Sequence, residues 1–218
     1  MNRTLSATLL LASAASIALA NPVSGQYFDM STCDSHGTRF AREELGTFIF
    51  PPDELIDATS FETLLSACPM EDDPNMPNYL VEMVNLTGRD WTDLFYVANL
   101  ETRLSNVDGA AWSAAAPGAV GQAFRIDATG LNRNLVWESI NSDGVFQAGE
   151  TWQFIIQDYV NFAGGAAHEF ASLDFAGASG LFPGGMFSTG SIVQFVVPSP
   201  GSLAMLGLGG AMLGRRRR

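Results

Sequence analysis

The sequence has no lysine, and only two cysteines and two histidines occur among its 218 residues. Five of its 11 basic residues, Arg3 and the four terminal arginines, lie outside residues 21–197. Residues 21–197 therefore contain six basic residues and all 23 acidic ones, which gives them a net charge of −17. Because so acidic a body repels phosphate backbones, nucleic acid is excluded as a partner. With two histidines and no G-x-S-x-G motif, the sequence has few of the residues that an enzyme with a serine or cysteine nucleophile requires. We therefore predict that the protein is not an enzyme.

The first twenty residues, MNRTLSATLLLASAASIALA, have the pattern of a secretory signal peptide. Arg3 precedes a short apolar stretch, and Ala18-Leu19-Ala20 supplies the small residues that a signal peptidase requires. The apolar stretch is too short to span a membrane. We therefore predict residues 1–20 as a signal peptide, cleaved before Asn21, and residues 21–197 as one exported domain.

Both cysteines, Cys33 and Cys68, fall in the predicted exported domain. In an oxidising compartment a pair of cysteines is usually bridged. Closing a loop of about 36 residues stabilises a fold by roughly 4 kcal/mol in the chain-entropy model. The sequence predicts a Cys33–Cys68 disulfide in preference to a metal site, which would need further ligands at suitable spacing.

The hydrophobic pattern changes at about residue 78. Prolines interrupt residues 21–78, which we predict to be irregular apart from a short helix over residues 60–67. Short strand patterns separated by turn formers follow, namely YLVEMVNL, DLFYVANL, QAFRIDA, LVWESI, TWQFIIQDYV, HEFASLDF and SIVQFVV. This spacing predicts an all-β fold, an antiparallel β-sandwich of immunoglobulin-like or jelly-roll-like kind.

The chain ends in three consecutive parts: the motif Val197-Pro198-Ser199-Pro200, a 14-residue apolar run from Gly201 to Gly214, and four arginines. As a helix the run would be about 21 Å long, shorter than the roughly 30 Å hydrocarbon core. The terminal arginines, Arg215, Arg216, Arg217 and Arg218, would stop transfer and hold this end in the cytoplasm. We predict a C-terminal helix that stays in the membrane only transiently.

These three parts, in this order, resemble the PEP-CTERM sorting signal, with Ser199 where that family has a glutamate. The resemblance covers about the last 22 residues. It implies that an exosortase, a membrane cysteine protease, recognises residues 198–218 and processes the exported protein. It also implies a transient stay in the inner membrane, then the cell surface or extracellular space of a bacterium that makes extracellular polysaccharide.

One segment matches part of a calcium loop. Asn141, Asp143 and Glu150 fall at positions three, five and twelve of such a loop, but Ser139 stands where position one requires an aspartate. An Asp143-Gly144 hairpin turn explains the same residues without a metal. We predict the turn, with calcium as the weaker alternative and no other cofactor.

The sequence therefore favours a non-enzymatic cell-surface or matrix protein associated with exopolysaccharide. A carbohydrate- or calcium-binding module is the second hypothesis, and a secreted hydrolase with an unrecognised site is the third. For stacking on sugars the chain offers four tryptophans, of which Trp112 alone lies in a loop-like context, while Trp91 and Trp152 are expected to seal the core.

Overall fold

Twelve β-strands and no helix make up the described part of the chain. The computed structural model describes residues 25–29, 34–47, 50–113, 120–127, 131–172 and 188–197. In chain order the strands are β1 (Gly25–Asp29), β2 (Arg39–Leu45), β3 (Ile56–Thr63), β4 (Asn78–Asn85), β5 (Leu94–Ala98), β6 (Thr102–Arg103), β7 (Gly109–Ser113), β8 (Val120–Arg125), β9 (Leu135–Glu138), β10 (Thr151–Ile156), β11 (Val160–Asn161) and β12 (Gly190–Val196). The all-β prediction is confirmed, whereas the predicted signal peptide and C-terminal helix lie outside the described residues.

Six of the strands form a closed antiparallel barrel in the order β1-β2-β12-β5-β8-β7. The ring closes because β1 pairs with β2 on one side and with β7 on the other. A second antiparallel sheet has the order β3-β4-β10-β9, and β6 pairs with β11 in a two-stranded ribbon. The architecture is thus a closed antiparallel barrel packed against a four-stranded antiparallel sheet, which is consistent with the predicted sandwich at the level of packed antiparallel layers.

The main core lies between the barrel and the four-stranded sheet, where both contribute alternate residues. Leu94 and Tyr96 of β5 face this core, together with Trp91 and Trp152 as predicted. The intervening Phe95 belongs to a second apolar cluster, formed by barrel strands alone. Because β5 has a core on each of its faces, all five of its residues are buried and its sequence is a continuous apolar run.

Six of the seven predicted strand patterns after residue 78 correspond to β4, β5, β8, β9, β10 and β12. The exception is HEFASLDF, of which residues 168–172 are described. They contain only an isolated parallel bridge from Phe170 to Gly190, so the strand prediction is wrong there.

The prediction that residues 21–78 are irregular is wrong, because they contain β1, β2, β3 and the first residue of β4. Charged residues in β2, RFAREEL, conceal its strand character from a hydropathy pattern. One of these charges, Glu44, is buried and accepts a hydrogen bond from Ser191 Oγ at 3.2 Å on the neighbouring β12. Pairing with a polar residue on the next strand lets the barrel accommodate this carboxylate.

The short helix predicted over residues 60–67 is also absent. Ser60 and Phe61 lie in β3, where they pair with Val81 and Leu80 of β4. Leu64, which would have been on the apolar helix face, is fully exposed. An isolated helix of two turns is marginal in water, and residues 60–63 instead form four of the eight residue pairs between β3 and β4.

Candidate functional site

A cleft of about 620 Å³ opens beside β9, between the end of β8 and the loop that joins β9 to β10. Its wall combines an apolar floor from β9 with charged and hydroxyl side chains. The lining residues are Thr92, Arg125, Asp127, Leu135, Val136, Trp137, Glu138, Ser142, Asp143, Gly144 and Val145. Such a mixture of aromatic surface and a few hydrogen-bonding groups is typical of a small-molecule or sugar site.

A β-bulge in β9 exposes the aromatic floor of this cleft. Trp137 pairs with Gln153 of β10, but Leu135 pairs with the very next residue, Phe154, so Val136 is an extra residue on its strand. Leu135 packs against the core, whereas Val136 is 43% and Trp137 48% exposed. Bulges of this kind redirect side chains at sheet edges and beside binding sites.

Trp137 also continues a row of side chains across the outer face of the four-stranded sheet. The strand registers place Thr59, Glu82, Gln153 and Trp137 side by side on β3, β4, β10 and β9. The Gln153 Nε2 atom donates a hydrogen bond to Glu82 Oε2 at 2.8 Å. The exposed indole is therefore the end of a polar row that runs from the cleft over the sheet.

Arg125 forms the basic part of the cleft wall. Its Nε and Nη2 atoms donate to the two carboxylate oxygens of Asp127, at 2.7 and 3.1 Å. Its Nη2 atom also lies 3.2 Å from Asp93 Oδ1. A bidentate pair of this kind fixes the guanidinium plane, so the cleft presents a charged group of defined orientation.

The residues of the weak calcium candidate lie in the loop between β9 and β10, and two of them stabilise that loop. Glu150 is buried, and its carboxylate oxygens accept the backbone N–H groups of Ile140 at 3.0 Å and Gln147 at 2.8 Å. Asp143 Oδ1 accepts the N–H of Val145 at 3.0 Å. Asn141 is exposed. These contacts fix the conformation of the loop, in which Gly144 lies in the left-handed region at φ 72°.

A different group of residues has metal-ligand geometry. Among the described residues, the one set of three acidic, histidine or cysteine side chains whose ligand atoms all lie within 4.8 Å of one another is Asp34, His36 and Asp108. No sequence motif predicted this group. The alternate spacing of Asp34 and His36 was the available signal, but Asp108 lies 72 residues beyond His36 and only the fold brings it close.

The second histidine, His168, contacts a serine. Its Nδ1 atom lies 2.7 Å from Ser60 Oγ, across 108 residues of sequence. The neighbouring Glu169 carboxylate instead accepts the N–H of Ala166 at 2.8 Å. Within the described residues the pair therefore lacks the third group that orients the histidine in a catalytic triad.

The other predicted sites are only partly described. Cys68 is buried and disulfide-bonded, while Cys33 lies outside the described residues, so their pairing stays a prediction. Val197 is exposed directly after β12, and Pro198, Ser199, Pro200 and the terminal arginines lie outside the described part. Trp112 is partly buried in β7 rather than in a loop. No helix of the described segments is long and apolar enough to cross a membrane.

Comparison of the chain with protein-family models, with curated proteins and with solved structures gives no match. Its function must therefore be inferred from its own residues.

Proposed function

We propose that the chain is an exported, non-enzymatic protein of the cell surface or extracellular matrix that associates with polysaccharide through the cleft beside Trp137. Its tail is a PEP-CTERM-like sorting signal, processed by an exosortase-type protease after a transient stay in the inner membrane. The domain is a β-sandwich of jelly-roll-like or immunoglobulin-like kind. The observation that carries the binding proposal is the half-exposed indole of Trp137 on the bulged strand.

The cleft provides the two kinds of contact that a sugar ring needs. An indole face stacks on the apolar C–H face of the ring. Arg125 and Asp127, fixed by their bidentate pair, and the Ser142 hydroxyl can then bond the ring hydroxyls at its edge. Because residues 21–197 carry a net charge of −17, repulsion selects neutral or amino-sugar chains over acidic polysaccharides.

The start of the tail supports its role as a sorting signal. β12 pairs on both sides within the barrel and ends at Val196, and Val197 is exposed. The predicted sorting segment therefore begins directly after an exposed residue, which itself follows a strand that is paired on both sides. The disulfide at Cys68 suits the oxidising compartment that export implies.

Hydrolysis has less support than binding. The three carboxylates that line the cleft each accept hydrogen bonds from the protein: Asp127 from Arg125, Glu138 from the N–H groups of Asp143 and Gly144, and Asp143 from Val145. These contacts favour a structural role over that of a general acid. The Ser60–His168 pair lies outside the residues that line the cleft.

Affinity electrophoresis of the exported protein in gels that contain one polysaccharide each tests the binding proposal. We expect retardation by a neutral glucan or an amino-sugar polymer, and none by an acidic polysaccharide. Trp137→Ala should weaken the interaction by about 5- to 30-fold, since loss of one aromatic stacking partner costs about 1–2 kcal/mol. Phe162→Ala, at an exposed aromatic outside the cleft, is the matched control. Equal retardation of the Trp137 variant and the wild type would overturn this use of the cleft.

A further inference from the structure

We propose that Asp34, His36 and Asp108 bind a divalent transition-metal ion of the Zn²⁺ class, at a site separate from the polysaccharide cleft. The fold brings the three residues together at one end of the β1–β7 pair. Asp29 at the end of β1 lies opposite Gly109 at the start of β7. Asp34 and His36 follow β1, and Asp108 immediately precedes β7.

The three ligand atoms already lie close together. All are within 4.8 Å of one another, and His36 Nε2 is 3.4 Å from Asp108 Oδ2. Atoms bound to one Zn²⁺ at about 2.0–2.2 Å can be no more than about 4.4 Å apart. A contraction of a few tenths of an ångström therefore suffices for one ion to contact all three side chains.

Neighbouring groups hold both carboxylates in place. Asp108 Oδ1 accepts the Asn132 Nδ2 group at 2.9 Å, and its Oδ2 accepts the backbone N–H of Arg125 at 3.1 Å. Asp34 Oδ2 accepts the backbone N–H of Asn132 at 2.9 Å, and its Oδ1 that of Leu131 at 3.3 Å. Hydrogen bonds that orient the ligands in this way are typical of metal sites, and they leave each carboxylate with lone pairs for an ion.

Among the described residues, two buried polar atoms at this cluster make no hydrogen bond, namely His36 Nε2 and Asn132 Oδ1, and the 3.4 Å approach of His36 Nε2 to Asp108 Oδ2 is a charge contact only. The Asp108 side chain is fully buried and that of His36 is 11% exposed. Buried polar atoms without a partner are rare because they have lost their hydration without compensation. A cation would give His36 Nε2 a partner and would at the same time offset the charge of the two carboxylates beside it.

The donor set selects the class of ion. Imidazole nitrogen with two carboxylates suits Zn²⁺ and its neighbours in the first transition row, whereas Ca²⁺ prefers oxygen ligands alone. Three protein ligands leave a fourth position for water or for a group from a partner molecule.

Titration of the untagged full chain with ZnCl₂, after removal of metal with a chelator, tests this proposal by calorimetry. We expect one Zn²⁺ per chain, a rise in Tm with Zn²⁺, and no comparable response to CaCl₂. His36→Gln should weaken Zn²⁺ binding by at least about 10-fold. His168→Gln, at the only other histidine, is the matched control and should bind Zn²⁺ like the wild type.

An ordinary His36–Asp108 ion pair predicts a different result. In that case the wild type binds no stoichiometric Zn²⁺, or binds it as well as the His36 variant does, and either result overturns the proposal. If His36→Gln does not fold, Asp34→Asn replaces it, because Asp34 is only partly buried. Co²⁺ provides a second readout: a visible ligand-field spectrum in the wild type that persists unchanged in both ligand variants would also overturn the site.

Discussion

Gln157 and Cys68 are joined by two hydrogen bonds in opposite directions. The Cys68 N–H donates to Gln157 Oε1 at 2.9 Å, and Gln157 Nε2 donates to the Cys68 carbonyl at 3.0 Å. The same amide accepts the N–H of Ala67 at 2.9 Å and donates to Ser105 Oγ at 2.9 Å. The buried Gln157, directly after β10, thus anchors the loop that follows β3 and contains the disulfide-bonded Cys68.

Gln157→Ala should lower the free energy of unfolding by about 2–4 kcal/mol, because it leaves buried N–H and C=O groups without partners. Gln153→Ala removes the same side chain from the same strand region, where it is partly exposed and bonded to Glu82, and should cost less than about 1 kcal/mol. Urea denaturation of both variants measures the difference. Equal losses would show that the Gln157 network is not a special contributor to stability.

Reduction of the disulfide should remove the covalent constraint on the same loop. We expect Cys33→Ser and Cys68→Ser each to lower stability by roughly 4 kcal/mol in the chain-entropy model, less if the native bridge is strained. Mass spectrometry of the exported protein should show a gain of two hydrogen atoms on reduction and no alkylation beforehand. Two thiols that are alkylated in the native protein would contradict the Cys33–Cys68 bridge.

The pH dependence of stability should depend on Glu54. Burial, followed by the nearby charges of Asp53 and Glu43, raises the pKa of Glu54 to about 7. Because the folded pKa lies above the unfolded value, the folded chain binds the proton more tightly, and this group destabilises the fold as the pH rises from about 4.5 to 7.

Glu54→Gln, which stays neutral, should therefore raise the free energy of unfolding by about 1–3 kcal/mol at pH 8 and change it little at pH 4. Asp57→Asn, at an exposed carboxylate of β3, is the control and should show no such trend. Denaturant midpoints at the two pH values measure both variants. A stabilisation by Glu54→Gln that is the same at pH 4 and pH 8 would contradict the assignment.

The loop between β9 and β10 should not depend on calcium. Millimolar Ca²⁺ should leave the Tm of the wild type unchanged, because Glu150 and Asp143 already accept backbone N–H groups of the loop. Glu150→Ala should lower stability by about 2 kcal/mol, since two partly buried N–H groups lose their acceptor. A rise in Tm with Ca²⁺ that Asp143→Ala abolishes would instead establish a calcium loop.

The sequence predicts strands best where burial has a regular pattern. In β10, TWQFII, the inward residues alternate with outward ones, and β5 is apolar throughout because it lies between two cores. β2 escapes prediction because its charges are accommodated by tertiary partners, as Ser191 shows for Glu44. The helix predicted around Phe61 does not form, because pairing with β4 outweighs the local helical pattern. Phe61 pairs there with Leu80, 19 residues away in the sequence.

The candidate sites are less predictable than the strands. Nothing in LVWESI distinguishes Trp137 from a core tryptophan, since its exposure follows from the bulge at Val136. The approach of Asp108 to His36 is a property of barrel closure through β1. Both features depend on pairing between distant segments, which local periodicity does not encode.

The last prediction concerns the tail, whose residues 198–218 lie outside the described part of the chain. Deletion of Arg215–Arg218 removes four positive charges, each costing about 2.5–3.5 kcal/mol to place at the membrane centre. Without this stop, the short apolar run should pass through the membrane and release unprocessed protein. Replacement of Pro198, Ser199 and Pro200 by alanine should have the opposite effect, because the arginine stop remains while the recognition segment is lost.

Peptide mapping of protein from the host envelope or matrix distinguishes a sorting signal from a plain anchor. If the tail is processed, the mature carboxyl terminus lies near Pro198–Pro200 and the extracellular form lacks the arginines. Fractionation should then place the alanine variant with the membrane and the arginine deletion in the periplasm or medium. An intact Arg218 terminus on stably membrane-embedded wild-type protein would contradict processing, because the same apolar run would then serve as a permanent anchor despite being shorter than the hydrocarbon core.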